Sequence, residues 1–168
     1  QGYSSAASDV YKRQHYHYAA LAKKLIDDGY QIALFGSAKD NEAGKEIIAA
    51  LSSEQQAWCR NLAGETQLEQ AVILIAACKA VVTNDSGLMH VAAALDRPLV
   101  ALYGPSSPDF TPPLSHKARV IRLISGYHKV RKGDAAEGYH QSLIDITPER
   151  VLQELNELLA EKTEHEEA

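Results

Sequence analysis

Residues 84–90, which read NDSGLMH, have the types and the spacing that suit an anion-binding site. Asp85 fits the end of a polar turn, and Ser86, Gly87 and Leu88 can offer successive backbone N–H groups where a helix begins. The first N–H groups of a helix have no acceptor inside the helix and lie at the positive end of its dipole, so they attract phosphate. Because Gly87 has no side chain, it leaves room for a phosphate to approach the backbone.

His90 lies four residues after Ser86 and therefore on the same face of the predicted helix, one turn further along. An imidazole in that position can donate a hydrogen bond to a second phosphate oxygen. The simpler interpretation is that Asp85 or Ser86 caps the helix and that His90 is an ordinary core or surface histidine. The residue types and spacing leave both interpretations open.

Composition limits the classes of protein to consider. With 168 residues, of which 45% are hydrophobic, the chain fits one domain with a real core. A net charge of -5 argues against a nucleic-acid-binding surface. The chain contains neither a GxGxxG pattern after a strand nor a GxxxxGK[ST] loop, which disfavours dinucleotide-dependent oxidoreductases and P-loop enzymes.

Cysteine and histidine spacing predicts no metal ion, and we also expect no tightly bound cofactor. Cys59 and Cys78 are far apart, and neither belongs to a metal-ligand pattern. The remaining histidines are scattered along the chain without metal-ligand spacing. Two unpaired thiols indicate a reduced, cytoplasmic protein rather than a secreted one.

Three segments differ in their patterning. Residues 1–14 have no helical or strand periodicity, and we interpret them as a non-native or disordered leader. Residues 15–160 alternate between short apolar strands and amphipathic helices, which predicts a single domain. Residues 161–168 are predicted to be a charged, solvated tail.

The alternation within residues 15–160 predicts a Rossmann-like α/β fold with a doubly wound parallel sheet. Parallel neighbours need a crossover, and the intervening helices supply it. Thr66 and Glu69 have capping-box spacing ahead of a helix at 68–78. The other predicted helices begin near His15, Glu42, Ser86 and Pro148, and the predicted strands cover residues 30–35, 80–83, 99–104 and 120–124, with a short one within 58–64.

Ligands of such sheets bind beyond the carboxyl ends of the strands. Three predicted strands are followed by loops rich in glycine, serine, proline and aspartate, which begin at Gly36, Asn84 and Gly104. We therefore expect these three loops to lie together at one edge of the sheet and to form a common site.

Residues 83–113, TNDSGLMHVAAALDRPLVALYGPSSPDFTPP, are very similar to the donor-binding segment of the ADP-heptose:lipopolysaccharide heptosyltransferases, glycosyltransferase family 9. The most specific element is D-[ST]-G-L-x-H followed by a strand and YGP, and the likeness extends over residues 15–159. The family has a GT-B fold with two Rossmann-like domains that face a cleft. The resemblance implies that this chain is the C-terminal, nucleotide-sugar-binding domain and that an N-terminal domain is missing.

The resemblance also implies roles around the donor phosphates. Asp85 matches a family aspartate close to the heptose hydroxyls. The backbone of Ser86, Gly87 and Leu88 matches the diphosphate-binding turn, and His90 matches a histidine beside the phosphates.

The nucleoside end of the donor is matched by residues earlier in the chain. Asp40 lies where the family has an acidic residue on the adenosine ribose, Glu42 is its nearby substitute, and Thr66 falls near the turn that contacts adenine.

Relatives also have a lysine before a Trp-Pro pair ahead of the first helix. Here Lys12 is out of register, so that role is not transferred. Some relatives have cysteines where this chain has none in residues 126–140, which again predicts no metal.

The activity implied is transfer of L-glycero-D-manno-heptose from ADP-heptose to the first heptose of the lipopolysaccharide inner core, with inversion. The family's general base belongs to the N-terminal domain, so no catalytic residue is expected in this chain. A cytoplasmic enzyme is expected, with a peripheral position at the inner face of the inner membrane as a further expectation. Two alternatives are a non-catalytic nucleotide-binding module and a nucleotide-sugar epimerase of GT-B-like architecture.

Overall fold

The computed structural model describes residues 15–104, 108–109, 111–124 and 141–167, with side chains as far as residue 161. Strands and helices alternate along most of this part of the chain. The 3₁₀ turn Ala38–Asp40 precedes the second helix. The described elements are α1 (His15–Asp27), β1 (Ile32–Leu34), α2 (Asn41–Ala49), α3 (Ser53–Gln56), β2 (Cys59–Asn61), α4 (Leu68–Ala76), β3 (Val81–Asn84), α5 (Gly87–Ala94), β4 (Leu99–Tyr103), β5 (Ala118–Arg122), α6 (Gln141–Ile144) and α7 (Pro148–Glu167).

All strand pairs among the described residues are parallel, which confirms the predicted α/β class. β1 pairs with β2, while β4 lies between β3 and β5. The prediction of one continuous sheet differs from this arrangement, because no ladder joins β1 to β3 in the described part. Both strands instead contribute side chains, Ile32 and Val82, to the same hydrophobic cluster. Apolar packing, rather than backbone pairing, therefore connects the two sheets.

β4 shows why the fold is doubly wound. Val100 and Leu102 pack into a cluster with residues of α1 and α7. Leu99, Ala101 and Tyr103 pack on the opposite face against α4 and α5. All five side chains are fully buried, so β4 is covered by helices on both faces. This burial explains the uninterrupted apolar sequence of the strand.

The start of α4 corrects one sequence prediction. The predicted capping box of Thr66 and Glu69 is wrong, because Gln67 is the N-cap and Gln70 occupies the third helical position. Gln70 Oε1 accepts a hydrogen bond from the backbone N–H of Gln67 at 2.8 Å. Gln70 thus has the role predicted for Glu69, since its side chain accepts the backbone N–H of the N-cap residue. The motif lies one residue later in the chain than predicted.

α7 begins where the sequence predicts but extends further. Thr147 Oγ1 accepts the backbone N–H of Arg150 at 3.2 Å, which caps the helix ahead of Pro148. The helix continues to Glu167 and so includes residues 161–167 of the predicted charged tail. The boundaries 15–160 and 161–168 stay predictions, and residues 1–14 lie outside the described residues.

Two glycines with positive φ provide a matched test of backbone strain. Gly29 has φ +94°, and nothing lies within 4 Å of the position that a Cβ would take there. A Cβ on Gly64 (φ +77°) would instead lie 2.7 Å from the Cα of Ala38. We expect Gly29→Ala to lower the free energy of unfolding by about 1–2 kcal/mol, the cost of a left-handed alanine. Gly64→Ala should cost about 1–3 kcal/mol more, because the turn that carries Asp40 must also move.

Urea unfolding of both variants measures this difference, since the midpoint shifts while the slope stays constant. Equal destabilisation by the two substitutions would contradict the close packing of Gly64 against the 3₁₀ turn.

Candidate functional site

A cavity of about 820 Å³ lies between β1 and β3, and its lining includes residues that follow both strands in the chain. Four of the predicted site residues line it: Asp40, Asp85, Ser86 and Leu88. Gly36 lines it as well, although β1 and β3 belong to separate sheets. The structure thus brings residues that are more than forty positions apart in the chain to one site.

Strand register places Gly104, the first residue of the third loop, at the same edge. Asn84 of β3 is paired with Leu102 of β4, so Asp85 and Gly104 follow the carboxyl ends of neighbouring parallel strands. Gly104 is thus at the edge that the loop composition predicts, although it is not among the residues that line the cavity.

The junction between β3 and α5 leaves the start of the helix without a side-chain cap from its N-cap residue. Ser86 is extended, with φ −153° and ψ 171°, and its side chain makes no capping hydrogen bond. Its Oγ lies 3.3 Å from Thr83 Oγ1 instead. The structure therefore contradicts the interpretation that the Ser86 side chain caps the helix. α5 begins at Gly87 with the positive end of its dipole toward the loop.

Asp85 accepts a hydrogen bond from a residue that no pattern in the sequence associates with it. Thr111 Oγ1 donates a hydrogen bond to Asp85 Oδ2 at 3.0 Å. The backbone carbonyl of Thr111 accepts a hydrogen bond from the hydroxyl of Tyr103, which also contacts Met89 Sδ at 3.2 Å. Sequence analysis missed Tyr103 and Thr111, because a pairing over 26 positions carries no local pattern.

The environment of Tyr103 keeps its phenol protonated. Burial raises the pKa of Tyr103 far above its ordinary value, and the nearby Asp85 carboxylate raises this pKa further. The hydrogen bond to Thr111 acts in the opposite direction but is the smallest of the three effects. Tyr103 therefore remains a hydrogen-bond donor even at alkaline pH.

Asp40 and Glu42, the two acidic candidates near β1, have different surroundings. Asp40 Oδ2 accepts hydrogen bonds from the backbone N–H and the hydroxyl of Ser37, at 2.8 Å and 2.9 Å, and so closes the 3₁₀ turn. Glu42 lies outside the set of cavity-lining residues and pairs on the exposed surface with Lys45 at 3.0 Å. Of the two carboxylates, only Asp40 faces the cavity.

Three further candidates are not part of the cavity lining. Gly87 begins α5, and His90 is exposed one turn further along. Thr66 is half-buried just ahead of α4. The residues that line the cavity do not include these three.

Neither a metal-binding cluster nor a membrane-spanning helix is found in the described ranges. No group of histidine, cysteine, aspartate or glutamate there has the arrangement needed to hold a metal ion. None of the helices that the structure describes is both long enough and apolar enough to cross a membrane. Residues 126–140, where the lack of cysteines predicts no metal, lie outside the described residues.

The family is decided by a match that covers most of the chain. The model of glycosyltransferase family 9 (heptosyltransferase) matches residues 3–140. The chain belongs to this family. Because the match begins within residues 1–14, the assignment of those residues as a leader stays a prediction.

Curated relatives agree with the family assignment. The chain is 86% identical over 148 residues to lipopolysaccharide heptosyltransferase 2 of Salmonella typhimurium, an alignment that covers 88% of this chain and 42% of the relative. It is 67% identical over 147 residues to lipooligosaccharide heptosyltransferase 2 of Haemophilus influenzae, covering 87% of this chain and 42% of the relative. The chain thus spans less than half the length of these relatives.

Solved structures share the fold. The Escherichia coli ADP-heptose lps heptosyltransferase II superposes with a TM-score of 0.87 at 73% identity, covering 96% of this chain and 46% of that one. The E. coli heptosyltransferase WaaC with ADP-2-deoxy-2-fluoro heptose superposes with a TM-score of 0.69 at 26% identity, covering 92% of this chain and 41% of that one. These matches confirm the α/β fold as part of a GT-B-type glycosyltransferase.

Proposed function

We propose that this chain is the donor-binding part of an enzyme that transfers L-glycero-D-manno-heptose from ADP-heptose to the first heptose of the lipopolysaccharide inner core, with inversion. The observation that carries the proposal is that Asp40, Asp85, Ser86 and Leu88 line the same cavity, which joins a carboxylate near β1 to the start of α5. Membership of the family and the names of the relatives support the same activity. The non-catalytic module and the epimerase gain no support from these relatives.

In this proposal the donor diphosphate binds at the beginning of α5. The backbone N–H groups of Ser86, Gly87 and Leu88 donate to the phosphates, and His90 lies beside them. The absence of a side-chain cap from Ser86 supports this role, since that side chain does not compete for the N–H groups of the first turn. A solved relative is described as binding ADP, which is a ligand of this chemistry.

The two ends of the donor are assigned to opposite sides of the cavity. Asp85 accepts hydrogen bonds from the heptose hydroxyls, and Asp40 accepts them from the adenosine ribose, with Glu42 nearby. Thr66 lies near the adenine-contacting turn. A carboxylate suits both sugar contacts, because each of its oxygens can accept more than one hydrogen bond.

Transfer by this enzyme requires charge stabilisation on the departing ADP. Negative charge grows on the diphosphate as the glycosidic bond breaks, and the N–H dipoles at the start of α5 are already oriented to stabilise it. We assign no catalytic residue to this chain. The general base that removes the proton of the acceptor hydroxyl belongs to a separate N-terminal domain.

Three further parts of the proposal concern partners and location. The chain works with that N-terminal domain and with the lipopolysaccharide acceptor, and it uses no tightly bound cofactor. The reaction takes place in the cytoplasm, peripherally at the inner face of the inner membrane. A lipid-linked acceptor and a nucleotide-sugar donor support this location.

The role of Asp85 is tested by its replacement with alanine. Asp85→Ala should reduce the preference for ADP-heptose over ADP by about tenfold, the value of a lost hydrogen bond to a charged group. The affinity for ADP should stay equal or rise, because a negative charge near the diphosphate is removed. Calorimetric titration with both ligands measures the ratio.

Asp27→Ala is the matched control, since Asp27 is an exposed carboxylate at the end of α1 that contacts Gln55 and lies outside the cavity lining. The Asp85 assignment is wrong if both alanine variants keep the same preference for ADP-heptose as the parent chain.

A further inference from the structure

The orientation of Asp85 depends on a chain of contacts that begins in the core. Tyr103 is the last residue of β4 and is fully buried. Its hydroxyl donates to the backbone carbonyl of Thr111, and the Thr111 hydroxyl donates to Asp85 Oδ2. Two hydrogen bonds therefore connect a fixed residue of the sheet to a carboxylate at the edge of the cavity.

The first of these contacts fixes an exposed segment. Thr111 is exposed and has no regular secondary structure, so its position depends on the groups that hold it. Tyr103 is packed among Met89, Leu99 and Ala101 in the cluster that joins β4 to α5. Because its ring cannot move without disturbing that cluster, the hydroxyl is a rigid attachment point for the Thr111 backbone.

The second contact selects an orientation of the carboxylate. An aspartate side chain at a strand end can rotate about two bonds, and an unrestrained Asp85 would also be repelled by the diphosphate. The Thr111 hydroxyl holds Oδ2 at 3.0 Å, which restricts rotation and leaves Oδ1 with a defined direction. A carboxylate that is already oriented loses less entropy when it binds sugar hydroxyls.

We propose that Thr111 and Tyr103 are positioning residues that orient the Asp85 carboxylate toward the donor sugar and thereby set the preference for ADP-heptose over ADP. This inference rests on the proposed function, because it takes Asp85 to be the contact to the heptose. Thr111 acts on Asp85 directly, and Tyr103 acts through the backbone of Thr111.

Substitution of Thr111 separates orientation from folding. Thr111→Val removes the hydroxyl and keeps the branched shape, so it should lower the affinity for ADP-heptose about fivefold while changing that for ADP less than about twofold. Thr111→Ser retains the hydroxyl and should restore most of the preference. Ser115→Ala is the control. It removes a hydroxyl from the same connection between β4 and β5, but this hydroxyl contacts Asp96 and the backbone N–H of Lys117 rather than Asp85.

Tyr103→Phe tests the attachment to the core. It removes one oxygen from a packed ring and should lower the preference for ADP-heptose in the same direction as Thr111→Val. Urea unfolding of each variant shows whether any loss of preference follows a loss of stability. A purely structural role predicts reduced stability with an unchanged affinity ratio, and that result would overturn the proposal.

A double-mutant cycle completes the test, with ADP and ADP-heptose titrated into the full 168-residue chain. Thr111→Val should have no further effect on the preference once Asp85 is alanine. If Asp85→Ala changes the preference but Thr111→Val does not, the positioning role is wrong and the proposed function stands. If neither the parent chain nor any variant prefers ADP-heptose, both the proposed function and the positioning role fail.

Discussion

Valine at position 87 is expected to abolish ADP binding. Gly87 is the first residue of α5, and a branched side chain there would occupy the space through which a phosphate reaches the N–H groups of the first turn. Loss of two hydrogen bonds to a charged phosphate corresponds to a fall in affinity of about 100-fold or more. The helix itself should survive, because valine costs less than about 1 kcal/mol relative to alanine in a helix.

Gly87→Ala provides the graded comparison. A single methyl group should weaken ADP binding less than the valine side chain does. If Gly87 contributed only backbone flexibility, the two substitutions would weaken ADP binding to a similar extent. Calorimetry gives the affinities, and circular dichroism verifies that each variant is folded. Equal ADP affinity in folded Gly87→Val and in the parent chain would refute the diphosphate-binding role of this turn.

The second large effect concerns catalysis rather than binding. We expect the 168-residue chain to bind the donor but to release no ADP by transfer when the lipopolysaccharide acceptor is added. A positioned general base contributes about 10²–10⁴-fold to such reactions, and loss of acceptor positioning removes more. The rate of ADP release should therefore fall by at least about 10³-fold relative to heptosyltransferase 2 of S. typhimurium assayed with the same substrates.

Donor binding should also be weaker in this chain than in the full-length relative. Without an opposing domain the cavity stays in contact with water, and each polar contact is then worth less than in a closed site. ADP release at a rate comparable to the full-length relative would place the general base within these residues and refute the separation of donor binding from catalysis.

Local patterns predict the fold and part of the site for a physical reason. Strand β4 is recognisable because burial on both faces requires an uninterrupted apolar sequence. The turn at Asp85 to Leu88 is recognisable because a helix start and its flanking glycine are contiguous in the chain. Where two neighbouring residues can perform the same task, local patterns fail, as at α4, where Gln67 rather than Thr66 is the N-cap.

Contacts between distant positions could not be predicted in this way. Thr111 reaches Asp85 only because parallel strands bring the ends of β3 and β4 to one edge. The gap between β1 and β3 likewise depends on tertiary packing. Each strand has a sequence typical of a paired strand, and that sequence does not specify which strand lies beside it. These features depend on how helices and strands are arranged in space, and the spacing of residues in the sequence does not predict that arrangement.

Recognition of ADP-heptose by the cavity between β1 and β3 is decided by parallel calorimetric titrations of the chain with ADP-heptose, ADP, UDP and NAD. We expect ADP-heptose to bind more tightly than ADP, because the Asp85 carboxylate adds contacts to the sugar. UDP should bind at least about tenfold more weakly than ADP, because its uracil cannot make the adenine contacts. NAD keeps the adenosine diphosphate but has a nicotinamide riboside in place of the heptose, so it should bind more weakly than ADP-heptose. Binding of UDP as tightly as ADP, or of NAD as tightly as ADP-heptose, would contradict a donor site for ADP-heptose.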